Sequence, residues 1–113
     1  MKATRNYEKL TVDVEATTHT ELFEALHQVD EVFGEEKCGK CGSLEVKFRV
    51  REDKEENKYY ELHCNGCFAK KMFGQHKKGG TLFPKRTQEI NGEDAFFPDG
   101  GWVKYDKDKG HYV

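Results

Sequence analysis

Cys38-Gly39-Lys40-Cys41 and, further along, Cys64-Asn65-Gly66-Cys67 hold every cysteine of this 113-residue chain. Two residues between cysteines let both sulfurs of a tight turn point at one ion. The 22 residues between the pairs are enough for a hairpin that returns the second pair opposite the first. Four thiolates so arranged suit a tetrahedral metal, with Zn–S bonds of about 2.3 Å. A site closed by four thiolates keeps no position for water or substrate, so the expected cofactor is one structural zinc ion.

Other uses of paired cysteines fit less well. A disulfide framework needs an oxidising compartment, whereas the chain opens Met-Lys-Ala-Thr-Arg-Asn with no apolar segment of export type, which leads us to expect a cytoplasmic protein. A redox Cys-x-x-Cys of thioredoxin type is normally a single pair on a βαβ unit. Iron remains open, because rubredoxin-like electron carriers also use paired Cys-x-x-Cys turns, and a tetrahedral all-sulfur site does not by itself separate the two metals.

Between the two pairs, Leu44, Val46, Phe48 and Val50 alternate with Glu45, Lys47, Arg49 and Arg51, which predicts a strand whose apolar residues, Phe48 above all, face the core. Glu52–Asn57 reads as a polar turn, Lys58–His63 as the antiparallel return and Phe68–Phe73 as a third strand. Upstream, residues 7–15 alternate through Leu10, Val12 and Val14 and predict a half-buried strand. Thr18 and Glu21 then form a capping box before Leu22, Leu26, Val29 and Phe33 at helical spacing, with Phe23, Ala25 and Val32 widening the stripe. A helix over His19–Phe33 ending at Gly34 follows. The expected fold class is α+β: a strand-helix element (1–34), a three-stranded metal module with a basic Gly/Lys loop (35–86), and an irregular or hairpin extension (87–113), together one compact domain.

Cys38-Gly39-Lys40-Cys41-Gly42 and Cys64-Asn65-Gly66-Cys67, with strand pattern between them, resemble the zinc-ribbon family over about residues 35–74. Gly42 matches the glycine often found after the second cysteine of such a knuckle, and Phe68 stands where the second knuckle would carry it. The layout, with Gly74-Gln75-His76-Lys77-Lys78-Gly79-Gly80 and Phe83-Pro84-Lys85-Arg86, also resembles small zinc-ribbon proteins of bacteriophages and prophages. That resemblance implies a bacterial or phage-infected host cell and a role beside replication or recombination proteins.

Charge points the same way. The net charge of -2 divides into 4 Lys/Arg against 9 Asp/Glu over residues 1–37, 12 against 6 over 38–86, and 3 against 6 over 87–113. From Leu62 to Gln88 no Asp or Glu occurs, while Lys70, Lys71, Lys77, Lys78, Lys85 and Arg86 fall in this stretch with His63 and His76. Such a local positive potential suits a phosphate backbone. Gly74, Gly79 and Gly80 read as a flexible loop bounded by Phe73 and Phe83, and rings beside cations suit single-stranded nucleic acid, whose bases stack while phosphates follow the charge. Phe73, His76, Phe83 and Trp102 therefore join the six cations as candidate contacts, with Tyr59, Phe96, Phe97 and Tyr105 as further rings.

The helix carries Glu21, Glu24, Asp30 and Glu31 and is ill suited to a major groove. No Walker A ending follows the glycine loop, Ser43 is the sole serine, and the acidic residues form no nuclease spacing, so no enzyme is expected. The function expected is non-enzymatic binding of single-stranded nucleic acid, with a replication or recombination protein as a further partner and no membrane. The alternative is an adaptor whose metal module docks on a replication, transcription or defence protein.

Overall fold

The computed structural model describes all residues, 1–113, and the chain divides into two compact units, Met1–Glu36 and Lys37–Val113. It combines one α-helix with many short antiparallel strands.

In the first unit, β1 (Lys2–Asn6) and β2 (Thr11–Glu15) form a hairpin in which Ala3 lies opposite Val14 and Arg5 opposite Val12. Helix α1 (His19–Phe33) packs on it. Thr18 caps the helix as its Oγ1 accepts from Glu21 N at 3.2 Å. The returning Glu21 carboxylate bonds the amide and hydroxyl of Thr17, one residue before the cap, at 3.1 and 2.7 Å. At the other end Gly34 keeps right-handed angles (φ -72°) instead of the left-handed turn that a terminal glycine usually makes. Val32 is the helix's buried residue, while Phe23, expected to widen the apolar stripe, stands exposed. Arg5 Nε (2.8 Å) and the Tyr7 hydroxyl both donate to Asp30 Oδ1, tying hairpin to helix.

The second unit holds the cysteines. Its strands β3 (Val46–Glu52), β4 (Lys58–Cys64) and β5 (Lys70–Gln75) run antiparallel near their expected positions, but the sheet has five strands, not three. β6 (Leu82–Pro84) and β9 (Trp102–Val103) share the far edge of β5: β6 lies beside Phe73–Gln75 and β9 beside Lys70–Lys71. Between them in sequence, β7 (Thr87–Ile90) and β8 (Glu93–Phe96) make a separate hairpin closed by Asn91-Gly92. Both turn residues have positive φ (52° and 82°), as a two-residue hairpin turn needs. A last hairpin joins β10 (Tyr105–Asp106) to β11 (His111–Tyr112). The Gln88 side chain bonds both backbone groups of Tyr112, at 2.6 and 3.0 Å, as a neighbouring strand would. The extension expected to be irregular or a hairpin holds two hairpins, and β9 between them joins the main sheet.

Register sorts the sheet's side chains into two faces. Phe48, Leu62, Lys71 and Trp102 form one cross-strand row, and Val50, Tyr60, Phe73 and Pro84 the next on that same face. Leu62, Phe73 and Trp102 are buried there. Phe48 is not the core residue its alternation suggested: it is 60% exposed, because β3 is the sheet's edge and the core lies over β4, β5 and β9. The opposite face carries Lys47, His63, Lys70 and Val103 in one row and Arg49, Glu61 and Met72 in another. No helix is long and apolar enough to cross a membrane.

Candidate metal centre

Each cysteine pair sits on a tight turn held by the same backbone bonds. In the first, Gly42 N donates to Cys38 O (2.9 Å) and Cys38 N to Ser43 O (3.0 Å). In the second, Phe68 N donates to Cys64 O and Cys64 N to Ala69 O, both at 2.9 Å. The amides two residues past the leading cysteines, Lys40 N and Gly66 N, each point at that cysteine's sulfur at 3.3 Å. Amides aimed at sulfur favour the thiolate.

The sulfurs converge. Cys38 Sγ lies 3.6 Å from Cys67 Sγ, Cys41 Sγ lies 3.6 Å from Cys64 Sγ, and all four ligand atoms fall within 4.8 Å of one another. Bonds of about 2.3 Å to a tetrahedral centre put sulfurs about 3.8 Å apart, so the donor set fits a four-coordinate metal. All four are free thiols, with no S–S bond among them. Cys38 and Cys64 are buried, and Cys41 is exposed.

Electrostatics separate the cysteines further. Burial alone would raise the Cys64 thiol, but amides of Cys67 and Gly66 and the neighbouring thiols bring its pKa down to about 7. In Cys41 a backbone bond at Ser43 lowers the pKa, yet desolvation and the other three thiols prevail and push it up to about 11. Four thiols this close share protons unequally, and a cation at their centre removes that conflict. His63 supplies no ligand: its ring faces Phe68 at 6.0 Å, and burial, then Arg49, lower its pKa.

The structure divides the candidate nucleic-acid contacts. Lys77 and Lys78 are exposed on the turn between β5 and β6, closed by His76 N to Thr81 O at 2.9 Å, with Lys85 and Arg86 exposed just past β6. His76 and Phe83 bring their rings together at 4.7 Å. Gly74 is no loop residue: it lies inside β5, opposite Phe83, whose ring occupies the space a Cβ would need.

Four candidates point inward. Trp102 is fully buried and Phe73 nearly so, which withholds their faces from a base. Lys71 is buried in the row between Leu62 and Trp102. Lys70 lies over the Tyr112 ring at 5.0 Å and 3.9 Å from Glu61 Oε2. Trp102 beside Lys71 and Tyr112 beneath Lys70 lie more than thirty positions further along the chain, so a linear charge run gives no sign of either contact.

Sequence reading missed Glu61 and its arginines. Arg49 and Arg51 alternate with Phe48 and Val50 in the sequence, but alternation gives no sign of the carboxylate they share on β4. No protein-family model matches the chain, and no match was found among curated proteins or solved structures.

Proposed function

We propose that the chain is a zinc-stabilised, zinc-ribbon-type protein that binds single-stranded nucleic acid without catalysing a reaction. One observation carries this reading: a hairpin end presents Lys77 and Lys78 to solvent beside the His76–Phe83 ring pair, within a stretch free of carboxylates. Cations and a ring at one edge match the two needs of a single strand, phosphate neutralisation and base stacking. The four-thiolate centre acts at a distance, by fixing the sheet from which the hairpin extends.

The zinc-loaded protein should bind a labelled oligothymidylate in preference to the duplex. Affinity should fall steeply with salt, and Lys77→Ala/Lys78→Ala should flatten the slope of log K against log salt by about 1.4, two single-strand phosphate contacts at about 0.7 each. Binding that ignores salt and both lysines would overturn the reading. The adaptor alternative has its own support in β3, an edge strand that exposes Val50 and could receive a partner's strand. A single zinc in a colourless preparation would exclude the iron carrier.

A further inference from the structure

On the sheet face opposite Leu62 and Trp102, the Glu61 side chain is 1% exposed and three cations surround it. Arg49 reaches Glu61 Oε1 through Nε at 2.6 Å and through Nη2. Arg51 donates from Nε to Oε1 at 3.0 Å and from Nη2 to Oε2 at 3.3 Å. Lys70 approaches Oε2 from β5. Burial alone would raise the Glu61 pKa, yet the arginine hydrogen bonds and then the lysine charge outweigh it and hold the carboxyl below the usual carboxylate range. The group is therefore an anion, and one cation would balance it.

The remaining charge is placed toward solvent. Arg49 and Arg51 expose 38% and 46% of their side chains, and neither uses Nη1 on Glu61. Arg51 also lies over the Tyr59 ring at 5.3 Å, and that ring is fixed by its hydroxyl bond to Asp53 at 2.9 Å. A buried carboxylate that clamps one edge of two half-exposed guanidinium groups restrains them and leaves their Nη1 groups off the carboxylate. Guanidinium forks held in that way match phosphate oxygens.

We infer that Arg49 and Arg51, oriented by Glu61, form a phosphate-binding site on the β3–β4 face. Its ligand is a phosphate group of a nucleic-acid backbone, and Lys47 in the adjoining row and the partly exposed Tyr59 extend the surface to which that strand would lie. The inference rests on the single-strand reading only for the source of the phosphate. Within that reading, Arg49 and Arg51 are contact residues and Glu61 is a positioning residue.

The test uses the full zinc-loaded chain, with labelled oligothymidylate and inorganic tripolyphosphate as separate probes. Arg49→Gln/Arg51→Gln should weaken oligonucleotide binding at least about tenfold and flatten the salt slope by about 1.4, as expected for two lost phosphate contacts. Arg49→Lys/Arg51→Lys keeps both charges but not the forks and should fail to restore affinity. Glu61→Gln adds a net positive charge, so charge alone predicts tighter binding; release of the arginines predicts weaker binding. Zinc content and circular dichroism verify each fold, and the lysine pair carries the test if Glu61→Gln does not fold. Oligonucleotide binding unchanged in the glutamine pair, or fully restored by the lysine pair, would overturn the site. Binding that depends on Lys77 and Lys78 alone keeps the proposed function and removes this site. Arginine-dependent binding of tripolyphosphate with no binding of oligonucleotide does the reverse, and failure of both probes removes both.

Discussion

The two cysteine turns share a backbone but differ in what holds them. At the second position the first turn has Gly39, where an added Cβ would lie 2.5 Å from Trp102 Cδ1 and 2.8 Å from Asp99 O; the second has Asn65. At the third, Lys40 Nζ reaches Asp99 Oδ2 at 2.6 Å, where the other turn has Gly66. After the last cysteine, Gly42 (φ 74°) corresponds to Phe68 (φ 65°). The second turn is continuous with the sheet, since Cys64 ends β4 and Ala69 leads into β5. The first lies outside any strand and is held by Trp102 and Asp99, more than fifty positions away in sequence. One turn is built by local pairing and the other by tertiary packing, so they should fail differently.

In the proposed zinc-bound form, metal removal should be the largest perturbation, because both turns would lose their common centre. Structural zinc in finger peptides is worth on the order of 10 kcal/mol, and a strong chelator should abolish the cooperative melt of the second unit. Cys38→Ser and Cys64→Ser should each lose stoichiometric zinc; a Cys38→Ser protein that still holds one ion at full affinity would contradict the four-thiolate site. Metal competition should also depend on pH in a defined way. Above pH 7 Cys64 is already largely thiolate and binding displaces no proton from it, whereas below pH 7 it must release one. Apparent affinity should therefore fall more steeply below pH 7 than above it, by about one further proton, or tenfold per pH unit. An unchanged slope across pH 7 would show that Cys64 is not the low thiol.

The next effect separates the turns. Gly39→Ala pushes a methyl group against the fully buried Trp102 and a backbone carbonyl, and overpacking of this kind costs about 1–3 kcal/mol. Asn65→Ala at the matching position meets no comparable ring and should change stability by less than about 0.5 kcal/mol. Thermal melts of the zinc-loaded variants read the difference. Equal losses would mean that the Trp102 contact does not brace the first turn.

The same contrast explains what the sequence could convey. The second turn, β3, β4 and β5 rest on local signals: spacing of cysteines, alternation along Val46–Glu52, a polar turn. Helix α1 is equally local, with Thr18, Glu21 and an i, i+4 apolar series. β1 was not legible because Lys-Ala-Thr-Arg-Asn has no apolar alternation and becomes a strand by pairing with β2. β6 and β9 are two or three residues long and exist as strands only through β5, so Phe83 and Trp102 looked like available rings. Asn91-Gly92 was a usable hairpin signal that went unread. For the cysteine site, all four proposed ligands could be named in advance. For charge, alternation separated Arg49 and Arg51 from Phe48 and Val50 but could not say which face would hold a buried anion. That depends on Glu61, opposite Arg49 in register and twelve positions later in the chain.

The smallest effect tests the backbone alone. Left-handed angles cost an L-residue other than Gly, Asn or Asp about 1–2 kcal/mol, and glycine avoids that cost. Phe68 adopts them with its side chain 71% exposed by residue, so replacing it sacrifices little burial beyond the ring contact with His63. Phe68→Gly should therefore stabilise the zinc-loaded protein by about 0.5–1 kcal/mol, the relief of strain being partly offset by the greater freedom of glycine in the unfolded chain. Gly42→Ala should destabilise by about 1 kcal/mol, since its position has open space around it and strain is the only charge against it. The double variant should lie near the parent, because the two sites are structurally equivalent and exchange the same penalty. Melting midpoints at saturating zinc decide it. A Phe68→Gly protein less stable than the parent would show that the ring holds the second turn through His63, and the equivalence of the two turns would then end at their backbones.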